Sequence, residues 1–174
     1  TSRELPAAER PAIGSSVANL HFKDIRYLNR SLADLGENKL TVLVFTSHEC
    51  PIANAMAPTL QELADSFAAA PMRFFIVLVD PDLTAGDAAR HALDYALPGT
   101  VLLDPHHELA RRLQIRRTPE AIVWQHRQVV YRGLIDDQWH ALGARAQAAS
   151  RHYLRDAITA ALAGEPVSVA ATEP

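Results

Sequence analysis

An α/β domain with a central mixed sheet flanked by helices is the fold class this sequence predicts. Two apolar runs, Leu40–Phe45 and Phe74–Val79, are too continuous to have a solvent face, the pattern of buried parallel strands. Between them Ile52, Met56, Leu60, Leu63 and Phe67 recur at intervals of four and three, which is one face of a helix. Later, Ala121–Trp124 and Val129–Tyr131 flank a polar Gln125–Gln128 connection and predict a hairpin, so antiparallel strands join the parallel ones.

The elements follow in order. Residues 1–13, with Pro6, Pro11 and several charges, read as an extended N-terminal arm; 14–166 read as the folded domain and 167–174 as a tail. Leu20, Phe22, Ile25 and Leu28 with polar residues between them predict an early strand or hairpin. Ser31 and Asp34 have the spacing of an approximate capping box, and Gly36 would close the short helical turn they start. Pro58 falls inside the stripe after Leu40–Phe45 and denies a helical partner to the carbonyl of Asn54, so a kink is expected there. Thr84 and Asp87 cap a helix over Ala88–Ala96 that Pro98-Gly99 stops. Thr100–Leu103 is a short strand and His107–Leu113 a short helix. A loop runs from Leu134 to about Ala149. The closing helix, with Ser150 as its expected cap, buries Tyr153, Leu154, Ile158, Ala161 and Leu162 and ends at Gly164.

The only cysteine, Cys50, sits in Phe45-Thr46-Ser47-His48-Glu49-Cys50-Pro51, between the first buried strand and the helix. A thiol delivered there meets unpaired N–H groups and the positive end of the helix dipole, both of which favour thiolate. Glu49 opposes this, and His48 acts either way according to its charge. One cysteine forms no internal disulfide, and this length supplies a hydrophobic core without one.

Composition removes other function classes. Seventeen Lys and Arg against 20 Asp and Glu give a formal charge of −3 and leave no general attraction for nucleic acid or anionic membrane. No apolar run approaches the roughly 18 residues of a membrane span. The polar lead without Met fits a processed, exported protein.

In its order of strand, cysteine turn, kinked helix, strand, helix, Thr118-Pro119, hairpin and closing helix, the chain resembles the thioredoxin fold. More narrowly it is similar to the redoxin (AhpC/TSA-like) branch, through Val42-Leu43-Val44-Phe45 before the thiol, Cys50-Pro51, Pro58, and Arg117-Thr118-Pro119-Glu120 before a strand. Phe22-Lys23-Asp24-Ile25-Arg26-Tyr27-Leu28 and Arg132-Gly133-Leu134-Ile135-Asp136-Asp137-Gln138 resemble stretches of bacterial exported redoxin-domain proteins. The resemblance implies a periplasmic or otherwise exported thiol redox protein without a cofactor. Its cis Thr118–Pro119 bond would lie against Cys50, with Arg117 beside it. Cys50 would attack a protein disulfide or a peroxide, and an external thiol, or one downstream of residue 174 and trimmed from this chain, would resolve the product.

The chain departs from these patterns at defined places. Ala53 and Asn54 stand where thioredoxins and copper-assembly relatives carry a second cysteine, which removes a dithiol cycle within the motif. Ser47 matches the Ser or Thr that peroxiredoxins place three residues before their cysteine, but Leu43 replaces their proline. Two alternatives stay open: a copper-binding or metallochaperone role using Cys50 and His48, and a non-catalytic peptide-binding module. The hairpin's return brings Asp136, Asp137 and Gln138 to the cysteine end of the sheet, where His48 also lies. They contact substrate there or bind a cation together with His140, or the two aspartates only fix the long loop through turn hydrogen bonds.

Overall fold

The computed structural model describes residues 13–16, 21–26, 28–31, 40–141 and 144–174. The expected arm over 1–13, apart from residue 13 itself, and the expected turn from Asp34 to Gly36 lie outside these residues.

Seven strands form one mixed sheet: β1 His21–Asp24, β2 Asn29–Ser31, β3 Leu40–Thr46, β4 Met72–Leu78, β5 Thr100–Leu103, β6 Glu120–Gln125 and β7 Gln128–Gly133, in the order β2-β1-β5-β4-β3-β6-β7. The uniformly apolar runs occupy the centre, as their lack of a polar face requires: β3 pairs parallel with β4, and β4 with β5. The strands that alternate or carry polar ends, β1 and β6, join antiparallel on either side. Ser31 is the last residue of β2.

The kink expected at Pro58 is a break. Helix α1, Pro51–Ala55, ends at Met56, and α2, Ala57–Ser66, starts there with Pro58 at its beginning, where a missing N–H is harmless. Helix α3 spans Ala85–Asp94 with the Thr84 hydroxyl accepting from the backbone N–H of Asp87, and α4 spans Glu108–Arg112. Helix α5, Tyr153–Ala163, ends on Gly164, whose φ of 73° is the left-handed conformation that glycine enters without a Cβ penalty. Its N-cap is His152, not Ser150, because Ser150 is occupied elsewhere.

The sheet divides the interior in two. On one face Val42, Val44, Ile76 and Tyr131 pack with Met56 at the α1–α2 junction, Leu60 of α2, Ala88 of α3 and Leu154 and Ile158 of α5. On the other, Leu43, Phe45, Phe75, Val77 and Ile122 pack with Leu109 and Ala110 of α4. Every apolar residue of β3 is buried, so the strand that carries the cysteine turn is packed on both faces. The expected loop after β7 holds a small hairpin, β8 Trp139–Ala141 and β9 Ala144–Arg145.

Candidate functional site

Cys50 caps α1 from a φ of −79° and ψ of 110°, with Pro51 as the first helical residue. It is a free, half-buried thiol whose side chain makes no cap hydrogen bond. The sulfur lies 3.8 Å from the carbonyl oxygen of Thr118, and the Thr118–Pro119 peptide is cis. β6 begins at Glu120, opposite Phe45 at the end of β3, and that register brings the proline turn against the cysteine turn.

The loop before the sulfur is held from the neighbouring strand. Asp80, just beyond β4, accepts from the Ser47 hydroxyl and, at 3.0 Å, from the backbone N–H of His48. His48 Nδ1 lies 3.0 Å from the same carboxylate, and the Asn54 side chain donates to the His48 carbonyl at 2.8 Å. Burial alone would raise the Asp80 carboxyl, but the Ser47 hydroxyl, the His48 N–H and the His48 imidazole together outweigh it and hold it below its ordinary value. His91 of α3 stands edge-on to His48 with ring centroids 6.0 Å apart and stacks obliquely on Tyr95 at 4.6 Å. Burial first, then repulsion from His48, lowers its affinity for a proton.

Beside Thr118 a cavity of about 150 Å³ is lined by Arg117, Pro119, Asp136, Trp139 and Pro174 among others. Pro174 arrives there because residues 170–172 return along β7. The Arg132 N–H donates to Ala170 and the Thr172 N–H to Arg132, both at 3.0 Å, while the Thr172 hydroxyl accepts from the Leu134 N–H at 2.7 Å. Gly133 makes this approach possible, since a Cβ there would stand 2.0 Å from the Thr172 hydroxyl oxygen.

The predicted site residues therefore separate into groups. Cys50, Thr118, Pro119, Arg117 and Asp136 converge on one end of the sheet. Ser47 and His48 lie there too, turned toward Asp80. Asp137 and Gln138 tie the loop instead. The Asp137 carboxylate accepts from the Ser150 hydroxyl and from the N–H groups of Ser150 and Arg151, bonds that hold its carboxyl at about 2. The Gln138 N–H donates to Asp136 at 2.9 Å, and its side-chain amide faces the carbonyls of Ala146 and Gln147. Asp80 and His91 were missed by sequence reasoning. The available signal for Asp80 was its place at the carboxyl end of the strand next to the cysteine strand, where sites of open α/β sheets gather. Among the described residues no group of three or more His, Cys, Asp or Glu side chains is placed to hold a metal ion, and no helix is long and apolar enough to cross a membrane.

Solved structures share this architecture. A hypothetical protein from Sinorhizobium meliloti 1021 superposes with a TM-score of 0.81 at 20% identity, over 95% of this chain and 91% of that one. The thioredoxin domain of a thiol-disulfide oxidoreductase from Bacteroides vulgatus gives 0.61 at 18%, over 71% and 89%. A secreted Mycobacterium tuberculosis disulfide oxidoreductase homologous to E. coli DsbE gives 0.59 at 19%, over 83% and 95%. At such identities the likeness establishes a thioredoxin-like fold. No curated protein sequence matches the chain. The AhpC/TSA family profile matches residues 13–137, most of the chain and all of the cysteine and proline turns, and the protein belongs to the AhpC/TSA family.

Proposed function

We propose that the protein is a single-thiol redox protein that exchanges disulfides with a partner protein through Cys50. The Cys50 thiolate attacks one sulfur of a partner disulfide. A Cys50–sulfur bond forms, the partner's S–S bond breaks, and the departing sulfur leaves as thiolate. Because Cys50 is the only cysteine in this sequence, a thiol from another molecule attacks the mixed disulfide, forms the new S–S bond and releases the Cys50 thiolate. The observation that carries this reading is the half-buried sulfur 3.8 Å from the Thr118 carbonyl, beside the cis peptide and the cavity next to it. Backbone groups there lie within reach of an extended segment held beside the sulfur.

Disulfide exchange is favoured over peroxide reduction by the neighbours of the sulfur. The Ser47 hydroxyl is bonded to Asp80, and Arg117 is exposed at the cavity wall. The same reading places the protein outside the cytosol, where disulfides persist; a neighbour of this fold is a secreted disulfide oxidoreductase.

Incubation with oxidised glutathione, followed by mass spectrometry, should give one mixed disulfide at Cys50 that added dithiol removes, and none in Cys50→Ser. Absence of the adduct, or conversion of Cys50 to sulfenic acid by hydrogen peroxide faster than disulfide exchange, would overturn the assignment.

A further inference from the structure

The sheet edge at β7 is covered by two segments from elsewhere in the chain. At the end away from Cys50 the Gly14 N–H donates to the Val129 carbonyl at 2.8 Å, and the Val129 N–H donates to that of Ser15 at 3.3 Å. At the Cys50 end residues 170–172 run parallel to β7, with Ala171 bridged to Arg132. An uncovered strand edge is a template for pairing with another chain, so what lies on this half of β7 decides whether a partner adds there.

A hydroxyl seats the tail. Tyr131 Oη donates to the Leu134 carbonyl, and the Thr172 hydroxyl lies 3.1 Å from that phenol oxygen while accepting from the Leu134 N–H at 2.7 Å. With the phenol proton committed to Leu134, Thr172 is the donor to Tyr131. One atom thus both gives and takes a hydrogen bond, which a serine or threonine hydroxyl does and an alanine or valine does not. Two residues on, Pro174 lines the cavity beside Thr118, the place a partner's segment takes next to the sulfur. None of residues 165–174 is buried, and Ala171 and Glu173 are exposed. Polar contacts rather than apolar burial therefore hold the tail against the entropy of ordering it, and another extended segment that offers the same contacts replaces them one for one.

We propose, on the reading of Cys50 as an exchanger of protein disulfides, that residues 170–174 are a displaceable strap lying in the partner's seat. The partner docks by adding an extended segment to β7, with Ser or Thr in the place of Thr172. A segment that follows the strap past Arg132 toward Pro119 arrives at Thr118, whose carbonyl oxygen is 3.8 Å from the sulfur. A small disulfide needs no such path, so the strap slows exchange with a protein segment more than exchange with a small molecule.

Two measurements test this. A fluorescein-labelled peptide of residues 168–174 should bind saturably, by anisotropy, to the chain lacking residues 170–174, and about tenfold or more weakly to the whole chain, whose own strap fills the seat. Thr172→Val in the peptide should weaken binding about tenfold, since the buried Leu134 N–H then loses its acceptor. The second measurement is the rate at which Cys50 exchanges with the disulfide-linked dimer of a short Thr-containing peptide, taken relative to the rate with oxidised glutathione. This ratio should rise severalfold in the deletion variant, and excess tail peptide should reverse the gain. Thr172→Val in the whole chain should raise it too, and carries the test if the deletion variant does not fold. No saturable peptide binding up to about 1 mM, or a ratio that is the same in all three proteins, overturns the strap while exchange with glutathione keeps the reading of Cys50. A chain that exchanges with neither disulfide overturns that reading, and the partner's seat with it.

Discussion

Asp80 holds the cysteine loop from the neighbouring strand, taking the Ser47 hydroxyl, the His48 N–H and the His48 ring on one carboxylate. Asp80→Asn exchanges an acceptor oxygen for an amide N–H₂, so at least one of these bonds is lost. The variant should be about 1–3 kcal/mol less stable in urea, and iodoacetamide should alkylate Cys50 at a changed rate as the loop loosens. An unchanged rate in a destabilised protein would make Asp80 a support of the fold alone. His91 gives a pH dependence of defined sign. Its proton affinity is lowered in the folded protein by burial and by His48, against the opposing pull of Asp80 and Asp94. The unfolded chain therefore binds the proton first. The stability contributed by neutral His91 is present above its ordinary value of 6.5 and is lost as pH falls below it toward the lower folded value. Urea midpoints measured from pH 8 to 5 should decline more steeply for the native protein than for His91→Gln; parallel curves would place the pH sensitivity elsewhere.

The elements best read from the sequence were those with strong periodicity. The β3 and β4 runs, the Thr84 cap, the break at Pro58 and the Gly164 stop all follow from local chemistry that the fold does not override. The small β8–β9 hairpin was not readable, because Gln138–Ala149 has neither regular alternation nor a turn dipeptide to mark it. Ser150 was misplaced as a cap for a related reason: its hydroxyl competes for Asp137, 13 residues away, and only the fold brings that acceptor near. The tail was legible as polar residues after a helix stop but not in its destination, which depends on the bare Gly133 backbone accepting Thr172. Deleting residues 170–174 removes Pro174 from the cavity beside Thr118. Alkylation of Cys50 by a bulky maleimide should speed up in the deletion variant, with a smaller increase in Thr172→Val, which keeps the chain and loses the hydroxyl bonds. Equal rates in all three proteins would show that the tail leaves access to the sulfur unchanged.

At the scale of the whole molecule, the position of Cys50 follows from having two cores rather than one. A strand buried on both faces has every side chain committed, so β3 delivers its terminal turn to a fixed point, and β6 delivers Pro119 to the same point through their shared register. That convergence was anticipated only through the resemblance to the thioredoxin fold, which implies Thr118-Pro119 against Cys50. The roles of Asp80 and His91 depend on which side chains meet across elements, which periodicity does not encode. The sheet should also separate the two cores energetically. Leu109 of α4 is 2% exposed on one face and Ile158 of α5 is fully buried on the other. Leu109→Ala should cost about 2–5 kcal/mol and Ile158→Val about 0.5–1.5 kcal/mol. With no shared partners, the double variant should lose the sum of the two within about 0.5 kcal/mol. Urea unfolding of the four proteins measures this directly, provided each unfolds in a single transition of unchanged slope. A coupling above about 1 kcal/mol would mean that the sheet transmits packing changes from one face to the other, and that the cysteine turn at its edge is less rigidly held than two independent cores require.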